Sequence, residues 1–292
     1  MEIAGPIQIT KRLRSIGNYL EVLKPRETSL LTFIGICAAV VAAGGYPNLE
    51  RLLITAAALL VGCAGCNGLT NYADREVDAR MRRTRGRALP SRRIHPAERM
   101  LPLALILLAA GLALAWWLHP LCFLAGLVGT VAALINRKTA ATHFLGIVSS
   151  WAPVLVGYLA IKPQLDPTVI FLCILIGIWV PLHVWSVMTA NRSDYLGAGL
   201  AIFPVTWQVK DAIRLLLALS LVLYAVSFGL YLTGRFGWLY LVAAAVLGGL
   251  MVFASLRLLL THAAHDAWVV YKLSAFPYLG LLLLAMCLDL WL

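Results

Sequence analysis

Asp74 and Asp78 stand one helical turn apart in the stretch Asn71–Met81, where a strongly apolar run gives way to nine arginines between Arg75 and Arg99. Carboxylates at i and i+4 share one helix face. At 100° per residue, Asn67, Asn71, Asp74 and Asp78 fall within about 60° of arc, with Thr70 at its edge. Hard oxygen donors in this pattern suit Mg2+, which keeps several waters and is otherwise held by one or two carboxylates and substrate phosphates. The competing reading pairs both acids with Arg75, Arg80 or Arg82 at a membrane surface. Four residues after Asp78 begins Arg82-Arg83-Thr84-Arg85-Gly86-Arg87. Guanidinium forks match phosphate oxygens, although cytoplasmic loops are rich in arginine in any case.

Two further polar elements interrupt the apolar sequence. Asn191-Arg192-Ser193-Asp194-Tyr195 follows one apolar run, and Asn136-Arg137-Lys138-Thr139 ends another. His183 lies inside the run before Asp194, with Trp179 and Trp185 nearby. It reads either as a hydrogen-bonded packing residue or as a ligand. Acids at two helix ends with cations on the loops between describe a cavity for a diphosphate and one or two Mg2+ ions. The metals and cations would stabilise charge on a leaving diphosphate. An apolar tail would lie along the helices. An enzyme that ionises an allylic prenyl diphosphate, shields the carbocation and presents an acceptor has these requirements.

The elements that position these residues are transmembrane helices. Of the 292 residues, 61% are hydrophobic and 13% charged, and mean hydropathy is +0.86, outside the range of soluble domains. Nine apolar runs reach or approach the ~20 helical residues needed to cross a bilayer core. They are Ser29–Gly45, Leu52–Leu69, Met100–Leu118, Leu121–Ile135, Phe144–Ile161, Val169–Thr189, Leu215–Thr233, Phe236–Leu260 and Tyr271–Leu292, the fourth being the shortest. Continuous runs rather than alternation exclude a closed barrel.

A net charge of +11 raises the question of nucleic acid, but the placement of the cations answers it. With an inside N-terminus and alternating sides, 21 of 24 Lys and Arg fall inside, leaving Arg51, Lys162 and Arg235 outside. That is the positive-inside pattern, with the C-terminus on the opposite side and no call for a nucleic-acid partner. The expected organisation is a cytoplasmic segment over residues 1–28 and one nine-helix domain over 29–292. The start carries no cleavable-signal pattern. Six cysteines sit in apolar runs and read as small packing residues, including Cys63-Ala-Gly-Cys66.

This arrangement resembles the UbiA-type intramembrane prenyltransferases, and within them the protohaem IX farnesyltransferases. The Asn71–Met81 stretch followed by Arg83-Thr84 and Arg87 is similar to the family's first Asp-rich motif. Arg137-Lys138-Thr139, Gly146, Pro153 and Gly157-Tyr158 resemble the block after its fourth helix. Trp179, His183, Asp194-Tyr195 and Pro204 fall at the spacing of a later segment. The chain departs from the pattern at Thr70, where asparagine is usual, at Pro181, displaced by one, at Asn191, where arginine is usual, and at Ala198, where the wider superfamily has a second acid.

The resemblance implies an all-α membrane bundle with a cytoplasm-facing central cavity in a cell (inner) membrane. It implies farnesyl transfer from farnesyl diphosphate to a vinyl group of haem b, and association with other haem-pathway membrane enzymes. Asp74, Asp78 and Asp194 would bind Mg2+, assisted by Asn71 or Thr70. Arg83, Arg87, Lys138 and Arg192 would hold the diphosphate, and His183, Trp179 and Tyr195 would line the acceptor pocket. Two alternatives stand beside it: the same chemistry on a quinone precursor or chlorophyllide, and a non-catalytic haem or isoprenoid carrier.

Overall fold

The computed structural model describes residues 15–135, 141–233 and 235–292. Helices α1 (residues 15–22), α2 (Pro25–Ala42), α3 (Leu49–Arg80), α4 (Leu101–Leu118), α5 (Pro120–Leu134) and α6 (Ala141–Ile161) form the first part. Helices α7 (Pro167–Ala190), α8 (Arg192–Gly197), α9 (Val209–Tyr231), α10 (Trp238–Thr261), α11 (Ala264–Leu273) and α12 (Leu281–Asp289) follow. Among the described residues there is no strand. Eight helices or continuous helix pairs are long and apolar enough to cross a membrane, and α5 is a shorter apolar helix. The nine apolar runs of the sequence thus become eight such spans and one 15-residue helix.

Apolar tails cannot drive helix association within lipid, so close packing and internal hydrogen bonds must. Gly157 of α6 sits directly against the Gly35 carbonyl of α2, and Gly111 of α4 against the Gly62 backbone of α3. A side chain at Gly157, Gly35 or Gly111 would collide with the facing helix. Buried polar groups supply the rest. The Tyr240 hydroxyl donates to the Ser227 carbonyl at 2.6 Å, Tyr278 and Ser227 share a hydrogen bond at 2.8 Å, and Ser220 meets Ser255 at 2.6 Å. Exposed Trp116, Trp117, Val242, Leu250 and Phe253 lie on the outer faces of the bundle, where lipid solvates them.

Pro277 interrupts the last span. Between α11 and α12 the backbone widens into a π-type turn over Ser274–Gly280, with Ala275 outside helical geometry. A carbonyl at such a break in an apolar setting needs a donor from elsewhere. The Trp179 indole supplies one, donating to the Ser274 carbonyl at 2.5 Å.

Candidate active site

At 32 residues α3 is about 48 Å long, longer than a ~30 Å hydrocarbon core. Its last turns therefore stand beyond the apolar slab and carry the acids. Asp74 and Asp78 are nonetheless buried, with 6% and 2% exposure, because the chain folds back over them. Met81 ends the helix in an extended conformation and is fully buried. The Thr84 hydroxyl donates to the Asp78 carbonyl at 2.9 Å and closes the turn. That turn brings Arg87 Nη1 to 3.0 Å from Asp78 Oδ2. An arginine does pair with Asp78, but it is Arg87 rather than Arg75, Arg80 or Arg82.

Residues 82–93 are pinned on two sides. Toward α1, the Ala88 N–H donates to Glu21 Oε1 at 3.0 Å, while Arg93 donates to Glu21 Oε2 at 2.6 Å and to Asn18 Oδ1 at 2.7 Å. Toward α8, Asp194 accepts the backbone N–H of Arg82 at 2.7 Å and of Arg83 at 3.2 Å, one on each oxygen. Behind this clasp Met81, Met188, Tyr195 and Val205 form a small apolar cluster. The two acidic segments are therefore parts of one site. The backbone clasp turns Arg83 toward the buried Tyr195 phenol. Burial raises the pKa of that phenol, and the nearby Arg83 opposes the shift.

The site opens onto an apolar cavity of about 460 Å³ enclosed largely by α3, α4, α5, α6 and α7. Thr70 and Tyr195 line both the polar mouth and this cavity. Its walls include small residues, among them Gly62, Gly111, Gly126 and Gly129, where neighbouring helices approach closely. Cys63 and Cys66 also face it and are not joined by a disulfide.

Other sequence-selected residues take distinct places. Thr70 donates to the Asn67 carbonyl at 3.1 Å, within its own helix. The Asn71 amide donates to the Val22 carbonyl at 2.6 Å and so anchors α1. Arg192 points into the following loop, donating to the Val205 carbonyl at 2.9 Å. His183 stacks on Trp179 with ring centroids 4.8 Å apart, and its Nδ1 lies 2.8 Å from the Ser274 hydroxyl. The cavity is lined instead by Val180, Pro181 and Val184 of the same helix, so His183 and Trp179 face the broken span. Lys138 lies outside the described residues.

Two residues without a motif of their own join the site. Tyr271 of α11 packs its ring 4.5 Å from that of His183, and Glu27 of α2 lines the chamber. Nothing in the local sequence marks either one. Only the packing of the last span against α7 and α2 brings them here.

The donor set tests the fit of Mg2+. Among the described residues, no three His, Cys, Asp or Glu side chains gather as a metal cluster. Asp74 and Asp78 offer two buried carboxylates on one helix face, the number that suits Mg2+ sharing its shell with water and phosphate.

Fold and site together define a polytopic α-helical membrane protein with an acid- and arginine-lined mouth over an apolar chamber. The chain belongs to the UbiA prenyltransferase family, whose pattern matches residues 30–280. A protein named protoheme IX farnesyltransferase from Desulforudis audaxviator is 33% identical over 281 residues, covering 94% of this chain and 88% of that protein. One of the same name from Symbiobacterium thermophilum is 33% identical over 293 residues, covering 97% and 98%. Solved structures share the fold. A digeranylgeranylglyceryl phosphate synthase structure superposes with a TM-score of 0.77 at 18% identity, covering 94% of this chain and 98% of that one. A UbiA homologue from Archaeoglobus fulgidus bound to GPP and Mg2+ does so at 0.66 and 16%, covering 94% and 100%.

Proposed function

We propose that this chain transfers the farnesyl group of farnesyl diphosphate to a vinyl group of haem b. The observation that carries the chemistry is the clasp of Asp194 on the Arg82–Arg83 backbone. The same loop carries Arg87 to Asp78 and Arg83 to Tyr195, which lines the apolar chamber. The names of the relatives supply the donor and the acceptor.

Arg83 and Arg87 bind diphosphate oxygens, and Arg87 exchanges its contact with Asp78 for them. The small-residue chamber takes the isoprenoid and keeps water from the allylic cation. Asp74 and Asp78 would hold Mg2+, with Thr70 adjoining them at the chamber mouth. Bound there, the ion supplies positive charge against the departing diphosphate. Asn71 and Asp194 serve this site by fixing α1 and the arginine loop. The protein sits in the cell membrane as one domain over residues 29–292, with segment 1–28 cytoplasmic and the C-terminus on the opposite side.

Membranes carrying the protein, incubated with farnesyl diphosphate, Mg2+ and haem b, are expected to yield a farnesylated haem by mass spectrometry. Asp74→Asn and Asp78→Asn are expected to insert normally and abolish it. Product on a quinone precursor alone would replace the acceptor, and binding without diphosphate release would replace the enzyme by a carrier.

A further inference from the structure

Lys24 and Glu27 are the two formally charged side chains among the described lining of the apolar chamber. Lys24 joins α1 to α2 in the left-handed backbone region, with φ 50° and ψ 64°. A lysine gains nothing from that conformation, and such strain persists only where surrounding structure enforces it. Here the enforcement comes from the motif-bearing face of α3. Asn71 donates to the Val22 carbonyl at 2.6 Å. Asn67 donates to the Thr28 hydroxyl at 3.0 Å, which in turn donates to the Leu23 carbonyl at 2.8 Å. Two asparagines in line with Asp74 and Asp78 thus pin the corner from both sides of Lys24.

The corner holds a cation over a chamber that needs none for an isoprenoid. The diphosphate has its own cations in Arg83 and Arg87, which the other loop brings to Asp78 and Tyr195. In this structure Lys24 Nζ is 3.1 Å from Glu27 Oε2, and the Glu27 side chain is 59% exposed. An ion pair with one partner that open to water is weak and exchanges readily. Lys24 therefore lines the chamber, engaged by a carboxylate that another carboxylate can displace.

We propose that Lys24 recognises a carboxylate of the acceptor, and that Glu27 occupies the place of that carboxylate when no acceptor is bound. The proposal rests on the acceptor reading above, because haem b carries two propionates. It makes Lys24 a positioning residue that selects and orients the acceptor without touching the reacting carbon.

The test compares haem b with its dimethyl ester, using the full-length protein in membranes and separate KM values for acceptor and farnesyl diphosphate. Lys24→Met is expected to raise the KM for haem b about tenfold, the effect of one charge-assisted hydrogen bond. It should leave the KM for farnesyl diphosphate and for the ester unchanged. The unaltered protein should show the same rise when given the ester, a comparison that needs no variant to fold. Lys24→Arg should restore most of the difference, and Glu27→Gln should lower the KM for haem b. Equal KM values for acid and ester in the unaltered protein would overturn the proposal, as would a Lys24→Met effect confined to farnesyl diphosphate. Failure of the unaltered protein to farnesylate haem b at all would overturn the acceptor reading, and this proposal with it.

Discussion

Asp194 and Arg82, 112 positions apart in the chain, meet through a 2.7 Å hydrogen bond from the arginine's backbone N–H to the aspartate's Oδ1. With Arg83 N–H on the other oxygen, this carboxylate holds the arginine loop chiefly by its main chain, and the exposed Arg82 guanidinium meets it only at 4.0 Å.

Replacing Asp194 with Ala removes the acceptor from both N–H groups. Hydrogen bonds to a charged group contribute about 1.5–3 kcal/mol each, less where water enters. The loop over residues 82–93 should become protease-sensitive, with transfer activity lost. Asp194→Asn keeps one accepting oxygen and should fall between. Unchanged proteolysis in Asp194→Ala would show that Glu21 and Asn18 hold the loop without it.

Arg87 and Asp78 form a partly buried pair, with side-chain exposures of 35% and 2%. Removing the arginine takes away one of the groups that compensate a nearly enclosed carboxylate. Full burial would set the cost at about 3–5 kcal/mol, and partial access to water should reduce it to about 2 kcal/mol. Arg87→Gln should lower thermal stability accordingly, and Asp78→Asn/Arg87→Gln should recover most of the loss while remaining inactive. Equal stability of single and double variants would deny the pair any structural weight.

At the other end of the bundle Asp166 caps α7 and accepts from Lys162 at 2.5 Å, from the Tyr158 hydroxyl at 2.8 Å and from the Val169 N–H at 3.1 Å. Burial pushes its pKa up, but these donors outweigh it and bring it from the ordinary 3.8 down to about 2. A depressed carboxylate contributes stability that is full above its unfolded value and is lost as pH falls through its folded one. Melting temperature in detergent should drop between pH about 4 and about 2 more steeply for the native chain than for Asp166→Asn. Parallel curves would contradict this.

Gly111 lines the chamber and touches the Gly62 backbone. Gly111→Ala places a methyl where α3 offers only main chain, so the helices must separate, at a cost of about 1–3 kcal/mol. Lower thermal stability and a higher KM for farnesyl diphosphate are expected together. A stable variant with native kinetics would mean that α3 and α4 can part at that level without disturbing the chamber.

Several site residues were legible from spacing and others were not, for a physical reason. Asp74 and Asp78 share a face because the helix repeat is local, and the arginine run is visible as written. His183 looked equally well placed, yet Pro277, over ninety residues later, breaks the last span and draws Trp179 and His183 toward Ser274. Asn71 shares the acids' face as expected, but its amide is committed to the Val22 carbonyl. Glu27 and Tyr271 carried no motif and arrive by packing.

The sequence by itself determined the all-helical, membrane-spanning character of the chain and the shared helix face of Asp74 and Asp78. Hydropathy and helix periodicity act over one span or one turn, and each can be read along the chain. Tertiary structure decided which arginine meets Asp78, what Asp194 holds, which way His183 faces and how large a chamber the helices enclose. Those outcomes depend on hydrogen bonds and helix contacts closing between segments far apart in the chain, for which local spacing carries no record.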